Sequence, residues 1–170
     1  MLHIVLYEPE IPQNTGNIMR TCAALNAKLH LIEPLGFILD EKRVKRAVMD
    51  YIDILNYTVH DSFQSFLETV DGELFFLTRY GQKMHSDFDY GQIDKDIYLI
   101  FGSESKGIPL EILRQYKEHA FRIPMSHFAR SLNLSNAVAI CGYEVMRQLE
   151  YEGLSKYEVQ KGRDHIDKGS

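Results

Sequence analysis

Short apolar segments alternate with helix-like segments along the chain, and this alternation constrains the fold more than any other feature of the sequence. The apolar segments carry hydrophobic side chains at consecutive positions, so both faces of each strand are expected to be buried. Such strands are typical of a parallel sheet covered by helices on both sides, a three-layer α/β domain. The expected strands are residues 2–7, 29–32, 57–60, 73–78, 96–101 and 120–123.

The helices are expected between these strands. Their apolar residues recur at helical spacing, and the segment at 109–116 opens with a proline. Ser135 and Asn136 are expected to cap the last helix, whose apolar residues continue to Leu149. The other expected helices are residues 18–25, 41–50, 62–70 and 109–116, and residues 11–17 are expected to form a turn region.

The chain of 170 residues fits one domain, which we place at residues 1–152, followed by a polar tail at 153–170 that we expect to be loosely ordered. No segment approaches the roughly 20 apolar residues of a membrane helix, and the apolar start is too short for a signal peptide. Cys22 and Cys141 provide neither a disulfide framework nor a metal site, and we expect both to be buried thiols. These features predict a cytoplasmic protein without a membrane partner.

Seven histidines are scattered without the spacing of a metal site, so no metal is expected. His3 and His30 lie within strands and are expected to be core residues, whereas His127 lies in a polar loop and is the one histidine expected near a functional site. The net charge of −5 argues against a generally basic nucleic-acid binder, although a local basic patch remains compatible with it.

The polar and glycine-rich segments follow strands, and this placement predicts a binding site. They are residues 14–17, 78–82, 102–107 and 130–136, after the first, fourth, fifth and sixth expected strands. In an open parallel sheet, loops at the carboxyl ends of strands share one edge, where ligands bind. The loop at 126–134 is also longer than the usual βα connection of about 2–6 residues. The alternative is an ordinary connection with a good helix cap.

The residue types in these loops indicate the ligand. The glycine fingerprint of dinucleotide-binding proteins is absent, which disfavours a nicotinamide oxidoreductase. Glu104 lies in a glycine-rich loop, where its charge would repel phosphate but suit a sulfonium, an amine or a ribose hydroxyl. S-adenosylmethionine offers all three groups. The alternative for Glu104 is a solvated loop charge. Arg20 and the basic run at 41–46 are suited to binding RNA phosphates. The alternative is that both are solvated surface charges.

Three ordered motifs resemble those of the SPOUT class of RNA methyltransferases. They are Asn14-x-Gly16-Asn17-x-x-Arg20, then LIFGSESKG at residues 99–107, then RIPM at 122–125 with SLNLSN at 131–136. The opening segment and the absence of an added RNA-binding domain are most similar to the minimal subfamily, the tRNA (cytidine/uridine-34)-2′-O-methyltransferases. The likeness extends from Met1 to about Tyr151.

The resemblance implies a C-terminal deep trefoil knot, a homodimer, S-adenosylmethionine as cofactor and tRNA as substrate. In this family the polar residues that match Asn14, Arg20, Glu104 and Asn133 serve catalysis, and a partner subunit presents the first motif to the target ribose. An arginine keeps its proton at neutral pH, so we expect Arg20 to bind phosphate and stabilise developing negative charge. The residues that match the cofactor site are Leu77, Thr78, Gly102, Ile123, Pro124, Ser131, Leu132 and Asn136.

The expected reaction is therefore methylation of the ribose 2′-oxygen at the wobble position, a cytidine or modified uridine at position 34, of leucine tRNAs. Two alternatives stay open. One is a ribose methyltransferase of the same class that acts on another tRNA position or on rRNA. The other is a non-catalytic RNA-binding factor that keeps the fold.

Overall fold

The computed structural model describes residues 1–40, 42, 44, 46 and 56–169. A parallel sheet of seven strands runs in the order β3-β2-β1-β6-β4-β7-β5. The strands are β1 (Leu2–Tyr7), β2 (Lys28–Ile32), β3 (Tyr57–His60), β4 (Gly72–Leu77), β5 (Lys83–Met84), β6 (Asp96–Phe101) and β7 (Ala120–Arg122). The described helices of more than one turn are α1 (Pro12–Leu25), α2 (Phe63–Leu67), α3 (Leu110–Gln115) and α4 (Leu134–Gln148).

Helices cover both faces of the sheet, as the consecutive apolar residues predict. In β1, Ile4 and Leu6 belong to the core under α1 and α4, whereas Val5 belongs to the core under α2 and α3. All three side chains are buried. Because both faces of the central strands are buried against helices, the three-layer α/β prediction is confirmed. The prediction of one domain at 1–152 with a loose tail stays a prediction.

Two helix starts differ from those expected. Helix α1 begins at Pro12, so the segment 11–17 is largely helical instead of a turn, and Arg20 lies in the middle of the helix. Proline is suited to the first helical turn, because its missing N–H group needs no partner there, and one internal glycine costs only about 1 kcal/mol. Helix α4 is capped by Asn133 instead of Ser135 or Asn136.

The sheet also contains a strand that the pattern does not predict. Strand β5 has only two residues, too few for a periodic signal. Strand β7 lies between β4 and β5, although it comes later in the chain than both. The expected helix at 41–50 falls mainly outside the described residues. None of the described helices has the length and hydropathy needed to cross a membrane.

The core also contains three histidines in one hydrogen-bonded row, and two of them were expected there. His3 Nδ1 lies 2.8 Å from His30 Nε2, and His30 Nδ1 lies 2.9 Å from His60 Nε2. Asp96 ends the row at His3 Nε2, at 2.8 Å. Cys22 and Cys141 are buried free thiols, as expected, and burial raises the pKa of each to about 12.

Candidate active site

A cavity of about 540 Å³ lies at the carboxyl ends of the strands, and all four predicted polar segments contribute to it. Asn14 comes from the first turn of α1, Thr78 follows β4, Gly102 follows β6, and Ser131 precedes α4. These residues are far apart in the chain, and the parallel sheet brings them to one edge. The predicted convergence of the loops is therefore confirmed.

Glu104 joins the loop after β6 to the start of α1. Its Oε1 accepts a hydrogen bond from the Glu10 N–H at 2.9 Å, and its Oε2 accepts one from the Ile11 N–H at 2.7 Å. Asn14 Nδ2 donates a third, at 3.2 Å to Oε2. Hydrogen bonds from N–H groups to a carboxylate are stronger than neutral ones. The carboxylate thus fixes the first turn of α1 against the cavity wall.

Asn14 and Asn133 extend this connection to α4. The Asn133 Nδ2 group donates to Asn14 Oδ1 at 3.0 Å. The Asn133 Oδ1 atom caps α4 by accepting from the N–H of Ser135 at 2.9 Å and from that of Asn136 at 3.4 Å. Glu104, Asn14 and Asn133 therefore form one hydrogen-bonded chain across three segments. Three of the four residues predicted to serve catalysis meet here.

Glycine is required where the loop after β6 folds back on itself. A Cβ on Gly102 would lie 2.2 Å from the carbonyl carbon of Gly107, which is closer than two non-bonded atoms can approach. Gly107 has a φ of +68°, in the left-handed region that glycine adopts without strain. The Gly107 N–H donates to the Ser103 carbonyl at 2.9 Å and closes the turn. The loop thus presents backbone groups directly to the cavity.

The segment after β4 also packs closely against a neighbouring backbone, that of β7. The Thr78 N–H donates to the Phe121 carbonyl at 2.9 Å, and the Tyr80 N–H donates to Thr78 Oγ1 at 3.2 Å. A Cβ on Gly81 would lie 2.4 Å from the Phe121 backbone. The wall formed by Leu77 and Thr78 is therefore held in place by β7.

The residues around the cavity fit a nucleoside cofactor. Leu77, Ile108 and Ile123 provide apolar walls, and Thr78 and Ser131 provide hydroxyl groups. A volume of this size, with apolar walls and a few polar groups, is typical of sites for small molecules. The glycine turn at Gly102 leaves backbone groups free of side-chain cover. S-adenosylmethionine has apolar adenine faces, ribose hydroxyls and a charged methionine end that match this set.

The structure places most predicted cofactor residues in the cavity wall and some elsewhere. Pro124 and His127 line a neighbouring groove, and Asn136 donates its N–H to Asn133 beside the cavity. Sequence reasoning did not select Arg79, Tyr80 or Ile108, which line the cavity because they adjoin predicted segments. The predicted residues that line the cavity are Asn14, Leu77, Thr78, Gly102, Glu104, Ile123, Ser131, Leu132 and Asn133.

Arg20 does not line this cavity. Its exposed side chain lies at a second groove of about 400 Å³, together with Asn17, Phe37 and Arg46. Arg20 lies in the middle of α1, whereas Asn14 lies in its first turn, so the two side chains lie apart. The single chain therefore brings together three of the four predicted catalytic residues. Within the described part of the chain, no group of acidic, histidine or cysteine side chains is arranged to hold a metal ion.

Comparison with known proteins identifies the family. Residues 1–143 match the model of the SpoU rRNA Methylase family. A relative in Escherichia coli K12, the tRNA (cytidine(34)-2′-O)-methyltransferase, is 49% identical over 155 residues, which cover 90% of this chain and 97% of that protein.

Solved structures agree with this match. A structure described as giving insights into 2′-OH methylation of C/U34 on tRNA has a TM-score of 0.79 and 43% identity, and the match covers 89% of this chain and 98% of that one. The SpoU methyltransferase AviRb from Streptomyces viridochromogenes, in complex with AdoMet, has a TM-score of 0.76 and 26% identity over 89% of this chain and 61% of that one. This chain belongs to the SpoU rRNA methylase family.

Proposed function

We propose that this protein transfers a methyl group from S-adenosylmethionine to the ribose 2′-oxygen of the wobble nucleotide of tRNA. The observation that carries the proposal is the cavity in which Thr78, Gly102 and Ser131 meet beside the chain of Glu104, Asn14 and Asn133. The E. coli relative named for cytidine 34 supports the position. More specifically, we propose that the substrate is a leucine tRNA with cytidine or a modified uridine at this position, and that methylation takes place in the cytoplasm.

The residues of this chain position the reactants. S-adenosylmethionine, when bound, supplies a methyl group activated by a sulfonium. Leu77, Ile123 and Leu132 would hold its apolar part, and the hydroxyls of Thr78 and Ser131 would bind its polar part. Alignment of the 2′-oxygen with the methyl carbon supplies much of the rate in such transfers. Glu104 and Asn133 serve as positioning residues, because their hydrogen bonds fix the walls.

Arg20 acts, in this proposal, on the RNA and not on the cofactor. Its exposed guanidinium binds a phosphate of the target strand and stabilises the negative charge that develops on the ribose oxygen. Because Arg20 lies apart from the cavity of its own chain, it reaches the target from the second subunit of a homodimer.

The homodimer is supported by an apolar face of α4 that the single chain leaves open. Ile140 is 39% exposed and Tyr143 is 44% exposed, and residues three apart lie on one side of a helix. A buried symmetric contact would cover both. Light scattering of the purified protein is expected to give the mass of a dimer, and a monomer at micromolar concentration would contradict the proposal.

The trefoil knot is supported by the path of the chain near the cavity. Strand β7 is inserted between β4 and β5, and α4 then returns to pack on α1. The knot would require a threaded chain path, which is rare in proteins. An experimental chain path in which α4 can be withdrawn without crossing another segment would contradict the knot.

The test of the function uses the purified protein, radiolabelled S-adenosylmethionine and bulk tRNA. After digestion, label is expected in a 2′-O-methylated nucleoside from the wobble position of leucine tRNAs. Label at another tRNA position, or in rRNA offered in parallel, would favour the second candidate, a ribose methyltransferase with a different target. Absence of transfer with retained RNA binding would indicate a non-catalytic factor.

A further inference from the structure

The neighbouring groove that Pro124 and His127 line, which we call the arginine groove, opens beside the cofactor cavity and is distinct from the groove at Arg20. Its volume is about 620 Å³. It shares Arg79, Tyr80, Arg122, Met125 and Arg130 with the wall of the cavity, so the two spaces are continuous. A molecule that occupies the groove is therefore in contact with the entrance of the cavity.

The groove concentrates positive charge in a protein whose net charge is −5. Arg79, Arg122 and Arg130 line it, and none of the described residues that line it is acidic. Within the part of the chain that the structure describes, none of the three forms an ion pair. Arg122 Nη1 donates to the Arg79 carbonyl at 3.4 Å, which holds its side chain at the groove.

Three guanidinium groups require more negative charge than the cofactor offers. S-adenosylmethionine has a single carboxylate, which pairs with one guanidinium. The positive charges of three guanidinium groups in one groove repel each other, and a bound anion offsets this repulsion. A strand of RNA carries one phosphate per nucleotide and matches several arginines at once. The charge of the groove is therefore suited to a polyanion.

Exposed aromatic rings adjoin the same arginines. Tyr80 is 67% exposed, and the Arg79 guanidinium lies 5.5 Å from the centre of its ring. Phe128 is 87% exposed, and its ring centre lies 4.1 Å from that of His127, which lines the groove. Aromatic rings beside cationic side chains are typical of surfaces that bind single-stranded nucleic acid, where bases stack on the rings.

We propose that the arginine groove binds the unpaired RNA strand that carries the target nucleotide. Arg79, Arg122 and Arg130 bind its phosphates, and Tyr80 and Phe128 stack on its bases. This inference rests on the proposed function, since it assigns the RNA-binding surface of the same site. The continuity of the groove with the cavity then places the neighbouring ribose at the methyl donor.

The charge contacts are tested with a fluorescein-labelled RNA hairpin that has an unpaired loop, measured by fluorescence anisotropy across a salt series. Arg79→Ala/Arg130→Ala is expected to bind about tenfold more weakly, with a salt slope smaller by roughly 0.7 for each cation removed. Arg114→Ala/Lys117→Ala removes two exposed charges elsewhere and is expected to bind like the wild type. An unchanged affinity and slope for the groove variant would overturn the proposal.

The aromatic contacts are tested with Tyr80→Leu, for which affinity for the hairpin is expected to fall about tenfold. Tyr157→Leu, at an exposed tyrosine of the tail, is the matched control. Duplex RNA without a loop is expected to compete poorly. Equal competition by the duplex, or equal affinity of the tyrosine variants, would reject the stacking role.

Calorimetry with S-adenosylmethionine separates the groove from the cavity. The Arg79→Ala/Arg130→Ala variant is expected to lose more affinity for the hairpin than for the cofactor, because the single carboxylate of the cofactor pairs with only one guanidinium. A loss of cofactor affinity with normal RNA binding would overturn the proposal. An assay of methyl transfer by the wild type distinguishes failure of this inference from failure of the proposed function. Without transfer the proposed function fails, whereas transfer combined with equal RNA binding by wild type and variant rejects the groove alone.

Discussion

At the scale of single residues, Glu104 carries the most connections in the site. Its two oxygens accept hydrogen bonds from the N–H groups of Glu10 and Ile11 and from Asn14 Nδ2. In Glu104→Gln, an amide NH2 would face at least one of these donors. We expect unfolding free energy to fall by about 1–3 kcal/mol and affinity for S-adenosylmethionine to fall with it, measured by urea unfolding and calorimetry.

The matched control for this change is Glu73→Gln. Glu73 is exposed in β4, and surface substitutions of this kind usually stay within about 0.5 kcal/mol. If Glu104→Gln were as stable as the control and bound the cofactor normally, the carboxylate would not hold the cavity together.

The histidine row makes stability depend on pH. Burial, together with the neighbouring His3 and His60, lowers the pKa of His30 from 6.5 to about 3. In this range the unfolded chain binds a proton that the folded chain does not, so stability falls as pH drops from 6.5 towards 3. The expected slope from one such group is roughly 1.4 kcal/mol per pH unit. Urea unfolding over this range measures it.

The comparison of variants isolates the contribution of His30. His30→Leu removes the group that takes up the proton, so its loss of stability with falling pH should be shallower than that of the wild type. His165→Gln replaces an exposed histidine and should keep the wild-type slope. Identical slopes in all three proteins would mean that His30 binds its proton as readily in the folded chain as in the unfolded chain, and would contradict the prediction.

Residue types predicted the wall of the cavity but not its hydrogen bonds. The position of Thr78, Gly102 and Ser131 after strands is enough to place them at one edge of a parallel sheet. The pairing of Glu104 with the start of α1 depends on side-chain directions that spacing does not fix. For this reason the sequence indicated a charge that faces a ligand or solvent, and the structure shows a carboxylate held by three protein donors.

At the scale of elements, the loop after β6 depends on glycine. The backbone of Gly107 occupies the space that a Cβ on Gly102 would need. Gly102→Ala is therefore expected to open the turn, to cost about 1–3 kcal/mol of stability and to weaken cofactor binding. Gly91→Ala is the control, because its Cβ would meet no atom closer than 3.4 Å. Normal cofactor affinity in Gly102→Ala would show that the turn is not needed.

The element boundaries that the sequence missed have local causes. The Pro, Asn and Gly residues at 12–17 are typical of turns, yet they form the start of α1 because the rest of that helix buries Ile18 and Cys22 against α4 and the sheet. Tertiary packing here overrides local propensity. Strand β5 forms because β7 offers it a free edge, which no periodicity in two residues can indicate.

At the scale of the whole molecule, periodicity reports which faces of the elements are buried but not the order in which the strands lie in the sheet. The insertion of β7 between β4 and β5 is visible only in three dimensions. The same holds for Arg20, whose place in the sequence motif suggested one site with Asn14, whereas the folded chain places the two at different grooves. The proposed function therefore requires two chains for a complete site.

This requirement can be tested by mixing two inactive proteins. Arg20→Ala keeps the cavity, and Ser131→Trp, at an exposed position in the cavity wall, fills it while keeping Arg20. If Arg20 acts from the second subunit, a mixed dimer holds one intact site. Random exchange of equal amounts should then restore about a quarter of wild-type methylation, since half of the dimers are mixed. If each chain supplied its own Arg20, every site in the mixture would lack either the arginine or the cavity, and methylation would stay at the level of the separate variants.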